Sequence, residues 1–240
     1  MTTVLSILVL GFFLGMRHAT DVDHVVAVTT IVSRERSVRG AALLGSLWGV
    51  GHTLTIVLVG GAIILFSIVI PPRVGLSMEM AVAVMLVVLG ALNATGAMER
   101  IDEAAHAARH PGEPHVTPHE PRSSGLAAAV RSLVVGVVHG LAGSAAVALL
   151  VLTTLRDTRW AALYLLVFGV GTIAGMMLLT VAMVTPLALA ARRMTNLPRT
   201  MARVTGLVSV ALGIFLAYRI GIVDGLFTGN PQWTPQLGRR

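Results

Sequence analysis

The chain has 240 residues, 55% of them hydrophobic and 12% charged, with a mean hydropathy of +0.83. A soluble domain carries about 25% charged residues, so this composition excludes an ordinary water-soluble fold, and the absence of cysteine excludes disulfides and thiolate metal sites. The net charge of +7 and the pI of about 11.5 come from arginine without lysine; those arginines sit mostly between apolar blocks, which is a membrane-topology pattern and not a nucleic-acid surface.

The apolar residues fall into six blocks, roughly 3–32, 40–70, 76–96, 126–155, 159–190 and 201–220. Each is about as long as the 20 residues a helix needs to cross a hydrocarbon core of about 30 Å, whereas a β-barrel would show short segments of alternating polarity. The expected fold class is all-α: a polytopic membrane protein of about six transmembrane helices. The first block lacks a basic leader and turns apolar again after a polar cluster at residues 17–24, so it reads as a retained span and not as a signal peptide. Arg34, Arg36 and Arg39 follow it, Pro71-Pro72-Arg73 end the second block, and Glu79 near the start of the third reads as interfacial. The longest connector, 97–125, is polar and Pro/His-rich, with His106, His110, His115 and His119; such a tract either collects metal or is a solvated linker. The chain thus divides into a first three-helix unit (1–96), a His/Pro-rich cytoplasmic loop (97–125), a second three-helix unit (126–220) and a tail (221–240).

With six spans, the first, third and fifth connectors share one face and hold eleven arginines against six on the other. The positive-inside rule then places both termini outside the cytoplasm, in a multi-pass arrangement in the cytoplasmic membrane. The two units echo each other. Gly15 and His18 recur as Gly136 and His139, Gly49-Val50-Gly51 as Gly169-Val170-Gly171, and Leu89-Gly90 as Leu212-Gly213, at offsets of 121, 120 and 123 (136 − 15, 169 − 49, 212 − 89). Three spans per unit is odd, so the second unit enters the membrane in the opposite sense. Such 3+3 inverted repeats are typical of secondary transporters, whose sites lie near the midplane at the repeat interface.

Arg17-His18-Ala19-Thr20-Asp21-Val22-Asp23-His24 interrupts the first block near its centre. Residues 3–32 would make about 45 Å of helix, so the cluster lies at membrane depth, where ionisable groups are costly unless paired or facing a cavity. Three residues span about 300° of a regular helix, so His18, Asp21 and His24 would fan over about 120° of one face, with Asp23 about 100° from His24. Either Asp23 orients a histidine from outside the ligand set, or the helix is unwound here, which is tolerated where backbone lines a cavity. His52 and His139 are two further histidines inside apolar blocks. Imidazoles and carboxylates gathered without thiols suit a divalent late first-row metal, with a carboxylate beside a histidine fixing its tautomer. Candidate metal residues are His18, Asp21, Asp23, His24, His52 and His139, with Asp21 and Asp23 both open as ligands. Arg17 is expected to pair with Asp21 or Asp23, and Met176, Met177 and Met183 to pack and not to ligate.

Residues 17–24 resemble the signature of the nickel/cobalt transporter superfamily, an R-H-A-x-D-A-D-H stretch that contains H-x4-D-H. His18, Asp23 and His24 fill the H-x4-D-H positions and Asp21 the other acidic one. Gly49-Val50-Gly51-His52-Thr53 is similar to the family's S-L-G-H-[ST] motif, and Gly175-Met176-Met177-Leu178-Leu179 to a later glycine-methionine motif. The larger members have about eight spans and an acidic L-G-F-D-T-A-T-E stretch; here the corresponding region reads VGVVHGLAGSAA, with His139 where an aspartate would stand, and Thr180 stands near an expected aspartate. The shorter pattern resembles the urease accessory (UreH-like) membrane subgroup.

The resemblance implies a secondary permease for Ni²⁺ or Co²⁺, with the metal as cargo and no resident cofactor. It implies uptake for metalloenzyme maturation, with a cytoplasmic metallochaperone or urease or hydrogenase maturation proteins as partners beside the lipid bilayer, and no nucleic acid. No P-loop is present, and the chain is read as not an enzyme. The alternatives are a membrane-embedded accessory protein that hands nickel over, a metal exporter, or an intramembrane haem protein, which would leave Asp21 and Asp23 unexplained.

Overall fold

A computed structural model describes the backbone of residues 2–233 except 34, 36, 67–69, 99, 102–103, 105–124, 155–156 and 192–196, and the side chains of the same residues except 2–4, 143–154, 189–191 and 197–198. Every regular element among the described residues is helical. Helix α1 (Thr2–His18) and helix α2 (Val22–Val32) are followed by α3 (Val38–Thr55), a π turn (Ile56–Gly60) and α4 (Gly61–Phe66). Then come α5 (Pro72–Ala94), α6 (Leu126–Thr154), α7 (Thr158–Ala191) and α8 (Leu197–Tyr218), the last running into a π turn, Arg219–Val223.

Four of these stretches are long and apolar enough to cross a membrane: Val38–Phe66, Pro72–Ala94, Thr158–Ala188 and Arg199–Val223. The α1/α2 pair qualifies as a fifth if counted as one broken span, bent by 57°. Of α6, the portion Leu126–Ala142 is a shorter apolar helix. The sequence blocks thus recur as helices, but four or five of them, and not six, meet the length and composition of a span among the described residues, and two boundaries differ. The first block is broken in two, and the last helical stretch runs past residue 220 to Val223. Of the connector 97–125, residues 105–124 with all four histidines lie outside the described residues.

Local chemistry explains the ends. Ser37 caps α3 by accepting from the Gly40 amide at 3.2 Å, and Pro72 opens α5 at the position where its missing N–H costs nothing. Large apolar side chains face outward all round: Leu5, Phe13, Leu54, Leu166, Leu207 and Phe215 are each more than half exposed. Outward apolar faces on every long helix suit lipid contact, and in water they would aggregate. This is a membrane protein.

Helix α3 sits centrally, packed on both α6 and α7, while α1 packs on α7 and α5 on α8. Small residues and hydroxyls make the contacts, as expected where lipid supplies no hydrophobic drive between helices. A Cβ on Gly15 would strike the Phe168 carbonyl and the Thr172 amide, and one on Gly136 the Trp48 carbonyl and the His52 amide. A Cβ on Gly90 would lie 2.6 Å from the Gly206 oxygen and 2.8 Å from the Val210 nitrogen; on Gly213, 2.8 Å from the Ala83 oxygen and 2.9 Å from the Val87 nitrogen. The hydroxyls of Ser132 and Ser209 donate across helix pairs to the carbonyls of Leu44 (2.6 Å) and Leu86 (2.8 Å). Asn93 on α5 holds α2 by donating to the Thr30 carbonyl and to Ser33 Oγ, both at 3.1 Å. The described part of the tail folds back on α5: the Trp233 indole lies against Gly75 and donates to Glu79 Oε1 at 2.9 Å. Glu79 therefore has a partner within the fold.

Candidate metal centre

The break between α1 and α2 builds the site. Ala19, Thr20 and Asp21 carry the chain round, with the Thr20 amide donating to the Arg17 carbonyl at 2.9 Å and the Asp21 amide to the His18 carbonyl at 3.1 Å. Asp21 occupies the N-cap position of α2, with φ −61° and ψ 147°, but its carboxylate makes no capping bond. It instead accepts from His18 Nδ1 at 2.8 Å. The single-face fan of His18, Asp21 and His24 is therefore corrected, because that geometry needs one continuous helix and the chain turns after His18. Of the two arrangements the sequence left open, the unwound one is present.

The turn aims Asp23 at other groups. Its Oδ2 lies 3.2 Å from His139 Nε2, on α6, and its Oδ1 3.9 Å from His24 Nδ1. His18 Nε2 lies 3.1 Å from His52 Nε2, on α3. The His24 ring is central, with centroids 4.7 Å from His18, 5.1 Å from His52 and 4.7 Å from His139. Among the described residues two sets of donor atoms each lie within 4.8 Å of one another: His18, His24 and His52; and Asp23, His24 and His139. Of the six sequence candidates, five enter these sets, and Asp21 touches the first only through His18. Arg17, expected to pair with an aspartate, does not, since Asp21 turns to His18 and Asp23 to His139 and His24.

His24, His52 and His139 are buried, His18 is partly so, and the Asp21 side chain is 54% exposed against 34% for Asp23. Both nitrogens of His24, Nδ1 of His52 and Nδ1 of His139 are buried without a hydrogen-bond partner. An unsatisfied buried polar group costs about 1–3 kcal/mol, so a fold that keeps four such atoms on His24 and two rings packed against it is poor as helix glue and good as a ligand cage. Because the His18 Nδ1–H is given to Asp21, a neutral His18 presents its Nε2 lone pair to the centre.

The spacing also fits. With metal–nitrogen bonds of about 2.1 Å, two donors on one ion are at most about 4.2 Å apart. The 3.1, 3.2 and 3.9 Å separations meet that directly, and the remaining pairs of each set lie within 4.8 Å. Nitrogen donors with one carboxylate suit a late first-row divalent ion.

Two wall residues escaped the sequence reading. Trp48 lies 5.8 Å from His24 and 5.4 Å from His139, and Phe168 5.7 Å from His18. Trp48 had a signal, since it stands one turn before His52 on the same face; Phe168, on a distant helix, had none. The glycine-methionine stretch is a packing seam: Gly175 abuts Met16 and Ala19, Met176 is fully buried in the core, and the Thr180 hydroxyl donates to the Met176 carbonyl at 2.6 Å.

No family model and no solved structure matches this chain. It is 37% identical over 224 residues to the urease accessory protein UreH of Bacillus sp. (strain TB-90), an alignment covering 93% of this chain and 96% of that protein. With near full-length identity at this level and the His18–His24 signature, the chain belongs to the UreH-like subgroup of the nickel/cobalt transporter superfamily.

Proposed function

We propose that this protein is a secondary permease of the cytoplasmic membrane that carries Ni²⁺ or Co²⁺ inward for metalloenzyme maturation. The observation that carries the reading is the buried His24, ringed by His18, His52, His139 and Asp23, with neither ring nitrogen in a side-chain hydrogen bond. An ion sheds water to enter such a cage, and imidazole with one carboxylate replaces the lost ligands. Asp21 acts by orienting His18, and Asp23 supplies charge among the donors.

The reading includes six spans in two inverted halves, 1–96 and 126–220, with both termini outside. Matched contacts support it. Gly15 meets Phe168 and Thr172, while Gly136 meets Trp48 and His52, and each member of one set maps onto the other at an offset of 121 or 120 (136 − 15, 168 − 48, 172 − 52). Gly90 meets Gly206 and Val210, while Gly213 meets Ala83 and Val87, all at 123 (213 − 90, 206 − 83, 210 − 87). Contacts exchanged at a constant offset are what a two-fold relation between halves produces. Rocking of the halves about the metal site then gives alternating access.

A second reading, a membrane-embedded accessory protein that hands nickel to urease maturation factors without transporting it, is favoured by the name of the Bacillus relative, a urease accessory protein. Purified protein in sealed vesicles separates the two. The permease accumulates radiolabelled nickel inside, whereas the accessory protein binds it without accumulation.

A further inference from the structure

We infer that the metal path holds two adjoining stations that share His24, filled in turn and never together. The inference rests on the permease reading. The first station is His18, His24 and His52; the second is Asp23, His24 and His139. His24 is the one residue in both, and the only one of the four histidines with both ring nitrogens buried and outside any side-chain hydrogen bond. Its Nδ1 faces Asp23 at 3.9 Å, and its ring lies 4.7 Å from the His18 ring and 5.1 Å from the His52 ring, centroid to centroid.

The stations differ in what they tie together. The first uses α1, α2 and α3; the second links α2 to α6. In the inverted-halves arrangement the first lies within one half, and the second bridges both. A motion that parts α2 from α6 thus opens the second station, whereas the first depends on how α1, α2 and α3 meet. The ion is handed across His24 only when the halves close and bring His139 to Asp23. The donor chemistry differs too: three imidazoles against two imidazoles and a carboxylate.

Simultaneous filling is excluded by the shared ligand: a neutral imidazole carries one lone pair, its other nitrogen holding the ring proton, so His24 serves one ion at a time. The protein therefore binds one ion with two alternative ligand sets.

The test uses the full chain in lipid nanodiscs, with Ni²⁺ binding by equilibrium dialysis and the ligand-field spectrum of bound Co²⁺. Wild type is expected to bind one ion. His52→Ala and His139→Ala are each expected to keep one ion, with affinity reduced by no more than about 30-fold and with different Co²⁺ spectra. His24→Ala and the His52→Ala/His139→Ala double variant are expected to lose more than about 100-fold. His52→Gln and His139→Gln replace any alanine variant that fails to give a monodisperse, helical protein. A single shared site is the overturning result: either single variant abolishes binding, the two spectra coincide, or His24→Ala binds normally. Failure of the permease reading shows separately, as wild-type protein that binds nickel in nanodiscs but accumulates none in vesicles.

Discussion

Replacing Asp21 and Asp23 one at a time by asparagine separates an orienting carboxylate from a donor carboxylate. Asp21 touches one group of the centre, His18 Nδ1 at 2.8 Å, and its side chain is 54% exposed. Loss of an outer carboxylate from a histidine ligand costs about 10- to 100-fold in metal affinity. Solvent screening of an exposed group, and the ability of the asparagine Oδ1 to accept the same Nδ1–H, place Asp21→Asn at the low end: about tenfold, or about 1.4 kcal/mol. That loss is of binding alone, so the apparent KM for uptake rises while the maximal rate is kept. Asp23 faces two imidazoles, at 3.2 and 3.9 Å, and is the one charged donor of its set. Without it the ion cannot settle between α2 and α6, so the maximal rate for Asp23→Asn falls by more than about 100-fold and saturating metal does not restore it. The assay is initial-rate uptake of radiolabelled nickel over a wide concentration range, normalised to protein in the membrane. Equal defects in the two variants, or recovery of Asp23→Asn at high nickel, would refute the division of roles.

Further outcomes follow from the same contacts. Gly15→Ala and Gly136→Ala each push a methyl group into a backbone carbonyl across a helix pair, so each destabilises by about 1–3 kcal/mol; Gly61→Ala, with open space around it, leaves thermal unfolding in detergent almost unchanged, and equal effects at all three would contradict the close-packing account. Nickel affinity falls as pH falls, because an imidazole ligand must be deprotonated and metal and proton compete for it; equilibrium dialysis between about pH 7.5 and pH 5.5 checks the sign, and a pH-independent affinity would count against histidine ligation. Deleting residues 104–120, which removes His106, His110, His115 and His119, leaves nickel uptake in place with at most an altered apparent affinity; abolished uptake in a folded protein would make that loop part of the path.

The apolar blocks were readable because crossing a bilayer demands about 20 apolar residues wherever it occurs, and the helices begin and end within a few residues of them. The ligand types were readable too, since His18, Asp21, Asp23, His24, His52 and His139 stand out against an oily background. The break after His18 was harder. Ala19-Thr20-Asp21 contains neither glycine nor proline, and only Asp21 as an N-cap type followed by Asp23 in the first turn marks a new helix. The division of labour between Asp21 and Asp23 was not readable, because it depends on where α6 carries His139, a residue more than 110 positions away. Phe168 against His18 is likewise a product of how α1 packs on α7, which no local pattern encodes.

The permease claim is tested most directly by reconstituting the purified protein into sealed vesicles and following radiolabelled nickel and cobalt into the lumen for wild type, His18→Ala and Asp23→Asn. Time-dependent accumulation by wild type, released by an ionophore and lost in both variants, is the predicted result; equal accumulation in all three, or binding without accumulation by wild type, would contradict it.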